Sequence, residues 1–332
     1  MNSNPAGRPL LRVENLRAYL PAGQRHVRAV DGISFTLAEG QTLGIVGESG
    51  CGKSMLARAL MGLLPRDAVV GAGARIEFIQ RDLLRMRARE RRKITGREMA
   101  MVFQDPMTAL NPVMKIGRQI TEVLAHHLGM EKQAAHQRAL ALLGLVGISM
   151  PNRRMGQYPH QLSGGLRQRV AIAIALACQP KLLIADEPTT ALDVTVQAEI
   201  LNLLGELQAE KEMAMILISH NLGIVAGRTH ATAVMYAGKI VEQAPTDFLF
   251  SHMVMPYTRA LMEAIPHLSS PPHTRLREIG GQPPDLIQFP SGCSFSPRCA
   301  RVAPRCREQA PELKPGHHPN HWYACWNPLD TP

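Results

Sequence analysis

The segment Gly47-Glu48-Ser49-Gly50-Cys51-Gly52-Lys53-Ser54 constrains this chain more than any other, because it fits G-x-x-x-x-G-K-[ST]. The apolar run Thr42–Val46 precedes it and a helix-like stretch, Ser54–Leu64, follows it. That is the strand–loop–helix setting the motif needs. Glycines let the backbone curl until several N–H groups point at phosphate oxygens, and the helix N-terminus adds positive potential. Lys53 then reaches the β- and γ-phosphates, and the Ser54 hydroxyl becomes a Mg²⁺ ligand. Such a loop implies an α/β chain. Strand-like runs at Leu11–Tyr19, Gly32–Leu37, Thr42–Val46, Met99–Phe103, Lys181–Ala185, Ala214–Ser219 and Thr232–Tyr236 alternate with helix-like segments, as that class requires. A mostly helical insert occupies Asp105 to Gln161, including Ile116–Leu128 and Lys132–Leu145.

Two further segments carry phosphate chemistry. Lys181-Leu182-Leu183-Ile184-Ala185-Asp186-Glu187 is an apolar strand ending in two carboxylates. Continuous apolar runs mark buried parallel strands, and ligands sit at the carboxyl ends of such strands. Asp186 is thus placed to hold Mg²⁺, and Glu187 to orient or deprotonate an attacking water. Leu162-Ser163-Gly164-Gly165-Leu166-Arg167-Gln168 opens the apolar helix around Val170–Cys178. Ser163, Gly164 and Gly165 there make a second anion site of exposed N–H groups and a hydroxyl. A chain with its own phosphate loop has no need of another γ-phosphate site, so this one serves a nucleotide held by a second subunit.

Together the three segments resemble ATP-binding cassette (ABC) ATPases. The resemblance implies a P-loop ABC ATPase fold: a RecA-like core with an antiparallel β subdomain and a helical subdomain at about residues 105–162. It implies ATP and Mg²⁺ as ligands and a head-to-tail pair of ATPase subunits sandwiching two nucleotides. Gln104 matches the glutamine that senses Mg²⁺ and the γ-phosphate, and His220 the switch histidine. Ala191-Leu192-Asp193 matches the loop that crosses the dimer interface, and Tyr19 is the aromatic best placed for adenine. Asn221 stands where many relatives have Asp, and Cys51 where Ser is common. The second change exposes the loop to thiol reagents.

The formal charge of +10 over 332 residues is local. Residues 81–97 hold eight Lys/Arg against two acids, and 293–307 hold four Arg and no acid. The remainder balances. The first patch contains no aromatic, which argues against single-stranded nucleic acid. Leu83, Leu84 and Met86 among its arginines read as a short amphipathic helix with a solvated or membrane-proximal face. No apolar run is long enough to span a bilayer, and residues 1–9 lack an apolar signal core. The thiols therefore belong to a reducing compartment.

Proline marks a boundary: fourteen of 25 lie from Pro256 onward. The reading is a nucleotide-binding domain over 1–255 and an extension over 256–332, joined through Pro271-Pro272, Gly280-Gly281 and Pro283-Pro284. The runs 103–112, 186–193 and 256–261, with the tail, resemble the dipeptide/oligopeptide importer ATPases. That resemblance implies a different ATPase subunit as partner, two integral membrane permeases, an extracytoplasmic solute-binding protein, and a peripheral place on the cytoplasmic face of the inner membrane. Nucleic acid is not among the partners it implies; a soluble ABC-type ATPase acting on nucleic acid is the alternative. Relatives also import nickel, glutathione or antimicrobial peptides, so the cargo is unreadable.

Cys293, Cys299, Cys306 and Cys325 form a set of four thiols in the tail. Their spacing departs from the close pairs of structural zinc sites and leaves a [4Fe–4S] cluster, zinc and unliganded thiols all open. The family resemblance points to the cluster, as a structural staple. Arg298, Arg301, Arg305 and Arg307 would then offset its negative charge, while His317, His318 and His321 read as solvent-exposed.

Overall fold

The computed structural model describes residues 9–190, 192–265 and 278–330. These fall into two compact units, one built from the described residues up to Leu84 together with those from Leu217 onward, the other from Arg85–Ile216. Ala191 and the Pro271-Pro272 part of the connector lie outside the described residues.

The first unit starts with a long antiparallel hairpin, Pro9–Ala22 against Arg25–Ala38, in register Ala22↔Arg25 at the turn. Gly23 takes a left-handed φ of 62° there, as a tight hairpin demands. Leu11, Val13, Leu16 and Ala18 face inward while Arg12 and Arg17 are more exposed, the two-residue period of a half-buried sheet. Arg75–Phe78 pairs along Leu11–Glu14, and Arg81–Asp82 folds back on it. These short strands went unread because four residues and two residues give no periodicity to detect. Leu83, read as part of an amphipathic helix, is instead fully buried beside this sheet, with its N–H donated to Ile76 O. The helix in the basic patch covers only Ala88–Ile94, after the apolar residues, so the amphipathic reading is corrected.

Thr42–Val46 is wholly buried and runs parallel to Ala231–Tyr236, which pairs antiparallel with Lys239–Pro245. The Pro-rich extension joins this same sheet. Trp322–Tyr323 lies antiparallel to Lys239–Pro245, and Lys314–Pro315 beyond it. Glu242, fully buried on Lys239–Pro245, accepts from Val254 and Met255 N–H and meets His321 Nε2 at 3.0 Å. Burying a carboxylate demands such partners. His321 is thus 2% exposed and part of the extension's anchor, contrary to the solvent-exposed reading.

The second unit pairs Met99–Val102 parallel to Leu182–Asp186, both wholly buried. Around them stand the helices Ile116–Leu128, Lys132–Leu145, Gly164–Leu176 and Val194–Glu210. The first two match the expected bounds residue for residue, and amphipathic spacing with Gly129 at the C-terminus delimits the first of them. Among the described residues no helix is long and apolar enough to cross a membrane.

Candidate nucleotide-binding site

In the first unit, the loop Gly47–Gly52 connects the buried strand Thr42–Val46 to the helix Lys53–Met61. A side chain on Gly47 would put its Cβ 2.1 Å from Met235 O, and one on Gly52 1.9 Å from Ala29 O. Gly52 also adopts φ 106°, so both positions require glycine. Ser49 and Gly50 lie exposed at the crest of the loop, and Ser54 sits half-buried in the first helical turn. Lys53, only 4% exposed, donates from Nζ to Gly47 O at 2.8 Å and Glu48 O at 2.9 Å. Its ammonium is therefore held at the inner face of the loop, where the motif places it.

Cys51 packs beneath the same loop, 6% exposed, and burial pushes its thiol up from the ordinary value. A buried, protonated thiol is a poor nucleophile. The expected sensitivity to thiol reagents is corrected accordingly. Tyr257 and Arg298 also reach the loop, and neither was singled out for it by sequence. The Glu48 N–H donates to Tyr257 Oη, and Arg298 forms a forked ion pair with the Glu48 carboxylate.

Tyr19 lies half-buried on the long hairpin and donates its hydroxyl to Asp31 Oδ1 at 2.6 Å. His220 follows the strand Ala214–Ser219 and is exposed. Asn221 caps the next short helix by accepting from Gly223 N–H at 2.8 Å. Asn and Asp serve equally well as such caps, which explains why Asn221 is tolerated.

In the second unit, Asp186 ends the strand Leu182–Asp186 and is 3% exposed. Glu187 follows with φ 44°, the left-handed region, which turns its carboxylate out of the strand direction. Glu187 Oε2 accepts from Gln104 Nε2 at 2.9 Å and from Thr190 Oγ1 at 3.0 Å. The structure thus brings two predicted residues, Gln104 and Glu187, into direct contact and adds Thr190. Two donors on the carboxylate fix its direction.

Ser163 caps the helix Gly164–Leu176, its Oγ accepting from Leu166 N–H at 3.4 Å. Ser163 and Gly164 are exposed. A Cβ on Gly165 would meet Val196 Cγ1 at 2.7 Å, so glycine lets this helix end pack against Val194–Glu210. Asp193 caps that helix by accepting from Val196 N–H, and Val194 beside it is 82% exposed.

Residues 30–190 match the family described as ABC transporter, and residues 241–306 the oligopeptide/dipeptide transporter C-terminal region. The oligopeptide transport ATP-binding protein OppD of Haemophilus influenzae is 48% identical over 96% of this chain and 97% of that protein. The chain belongs to the ABC transporter ATP-binding family. A probable peptide ABC transporter ATP-binding protein, y4tR of Sinorhizobium fredii, is 46% identical over 98% of this chain and 97% of its own length. The dipeptide transport ATP-binding protein DppD of Escherichia coli is 47% identical over 92% of each. Among solved structures, the ATP-binding cassette MJ0796, a dimer in a post-hydrolysis state bound to ADP and Pi, aligns with TM-score 0.64. It is 25% identical over 71% of this chain and 98% of its own. Membership of the ABC family makes this chain an ATPase coupled to transport.

The four tail cysteines share one neighbourhood in the first unit. Cys293 N–H donates to Cys306 O at 2.8 Å, and the thiols of Cys293, Cys299 and Cys325 each feel charge on others of the set. Burial pushes Cys325 up to about 11. Yet among the described residues no group of three or more His, Cys, Asp or Glu is arranged to hold a metal ion. The interleaved arginines are also committed elsewhere. Arg298 holds Glu48, Arg301 pairs with Asp330, and Arg305 stacks 3.5 Å above Trp326. Arg298 and Arg305 thus face other partners, whereas Arg301 also acts on Cys299, opposing the upward push that burial gives its thiol.

Proposed function

We propose that this chain is the ATP-hydrolysing subunit of an importer for dipeptides or oligopeptides, peripheral on the cytoplasmic face of the membrane. The observation that carries the hydrolytic part is the Gln104–Glu187 contact at the end of the buried strand Leu182–Asp186. The backbone N–H groups of Gly47–Ser54 cradle the phosphates, and Lys53 leaves the loop carbonyls to reach the β- and γ-phosphates. Ser54, Gln104 and Asp186 are the groups that would hold Mg²⁺, which would supply positive charge to the phosphates. Glu187, aimed by Gln104 and Thr190, polarises the attacking water. His220 contacts the γ-phosphate, and Tyr19 stacks on the adenine. Ser163, Gly164 and Gly165 complete the nucleotide site of a second ATPase subunit. The exposure of Ser163, Gly164 and Val194 supports that role.

Peptide as cargo rests on the relatives, which are named for oligopeptide or dipeptide transport, and on the match of residues 241–306. The helical insert supplies the docking surface for a pair of integral permeases; Met107, 42% exposed on the short helix Pro106–Ala109, and Val113, 82% exposed, lie at its start. A solute-binding protein outside the membrane delivers the cargo to those permeases. The segment from Pro256 onward is a family-specific extension. Its four cysteines are proposed to bind a [4Fe–4S] cluster, whose thiolates spread around a body several atoms wide and need not converge on one point. Their shared neighbourhood supports this, and iron with acid-labile sulfide in protein purified without oxygen tests it; zinc alone, or neither metal, refutes it.

Co-purification tests the function as a whole. The expected result is a complex with integral membrane permeases whose ATPase is stimulated by peptide-loaded binding protein. Salt-sensitive binding to DNA or RNA without permeases would overturn the reading.

A further inference from the structure

Arg298 stands on the short turn Ser296–Arg298, between Cys293 and Cys299, far along the chain from the phosphate loop. Its side chain is 3% exposed. Nη1 donates to Glu48 Oε2 at 2.6 Å and Nη2 to Glu48 Oε1 at 2.8 Å, a forked pair that fixes the carboxylate plane. The remaining donors reach Tyr236 Oη, Ile279 O and Gly280 O at 3.3, 3.1 and 2.9 Å. All five N–H donors of the guanidinium are therefore satisfied. The bond to Glu48 is the main reason its pKa is raised. Tyr236, Tyr257 and Phe295 pack ring to ring around the pair, with centroids 4.5–5.3 Å apart.

Residue 48 is consequently gripped three ways. Its N–H is held by Tyr257 Oη, its carbonyl by Lys53 Nζ and its carboxylate by Arg298. The lysine grip is temporary, because Lys53 must turn to the phosphates when nucleotide binds. From that moment the loop is held at Glu48 by the side-chain fork, the tyrosine and the Cys51 N–H on the Glu48 carbonyl, and the fork is the one charged hold among them. We propose that Arg298 is a positioning residue for ATP: its fork on Glu48 keeps the phosphate loop in its binding conformation and makes ATP affinity depend on the folded C-terminal extension. The inference rests on the reading of Gly47–Ser54 as the phosphate loop. It adds a residue that the loop motif does not contain and a purpose for the extension.

Loop geometry is worth much to binding, since backbone N–H groups hold a phosphate only where they converge on its oxygens. The test measures equilibrium binding of Mg-ATP and steady-state hydrolysis by the full chain in its assembled transporter. The variants are Arg298→Lys, Arg298→Gln, Glu48→Gln and the double Glu48→Gln/Arg298→Gln, with Lys53→Ala as control. Lysine keeps the charge but loses the fork, so each single variant should weaken ATP binding by about 10- to 100-fold. The loss should fall on KM more than on kcat. The double variant should be no worse than the more damaging single one, because both remove the same contact. Glu48 is only partly buried, so Glu48→Gln keeps the test decisive even where an Arg298 variant fails to fold.

Wild-type affinity in both Glu48→Gln and Arg298→Lys would overturn the proposal. So would multiplicative losses in the double variant, which would mean the two residues act independently. If Lys53→Ala binds ATP normally, the phosphate-loop reading itself falls, and the clamp with it. If Lys53→Ala loses binding while the clamp variants keep it, only the clamp falls.

Discussion

The Gly-rich helix N-termini at Gly47–Gly52 and Ser163–Gly165 are built in opposite ways. The loop Gly47–Gly52 is folded into its unit, with a 4% exposed lysine beneath it and glycine forced at positions 47 and 52 by neighbouring carbonyls. Ser163–Gly165 is open, carries no lysine, and has its serine engaged as a cap of its own helix. Both offer backbone N–H groups to an anion. Only the first has the charge and the enclosure to bind a triphosphate alone. The second offers a surface that completes a site held by something else. Equal-looking Gly-rich sequence thus yields a binding site in one case and an interface in the other, and the difference is made by the lysine and by what surrounds the glycines.

That contrast can be broken by substitution. Lys53→Ala removes the charge from the enclosed loop and should lower ATP affinity by about 100-fold or more, read by nucleotide binding. Unchanged affinity would erase the distinction between the two termini. Gly165→Val should leave ATP affinity near wild type while reducing hydrolysis in the assembled transporter by about tenfold or more, because its side chain collides with Val196 at the open terminus. Lost ATP binding with intact hydrolysis of what does bind would reverse the assignment. Cys51→Ser should change ATP affinity by no more than about twofold, since the loop binds through backbone and Lys53. Alkylation of the native chain should spare Cys51, because it is buried and its thiol is held protonated. Rapid labelling of Cys51 would show that the loop opens far more than this structure indicates.

The legibility of these features in sequence followed the range of the interactions behind them. Gly47–Ser54, Asp186 and Glu187 were readable because one strand end and one helix start suffice to place them. The helix Ile116–Leu128 was readable because its apolar spacing and the glycine that ends it are local signals. Arg298 and Tyr257 were not, because each meets Glu48 across 250 and 209 residues of chain. No local pattern distinguishes a clamp arginine from its neighbours in an Arg-rich tail. His321 misled for the same reason: a histidine in a polar run reads as exposed until Glu242 is placed against it. The strands Arg75–Phe78 and Arg81–Asp82 were missed since their stability comes from pairing with the long hairpin. The basic patch shows the converse error, where three apolar residues suggested a helix although Leu83 packs in a turn beside a sheet.

Glu187 is where the account meets its most direct test. Gln104 and Thr190 aim a carboxylate that follows the buried strand carrying Asp186, and the account makes that carboxylate the group that activates water. In single-turnover hydrolysis by the assembled transporter, Glu187→Gln should bind ATP as tightly as the native chain. Its rate of cleavage of the bound nucleotide should drop by about 100- to 10,000-fold. Hydrolysis at near-native rate by this variant would contradict the account, because some group other than Glu187 would then be preparing the water.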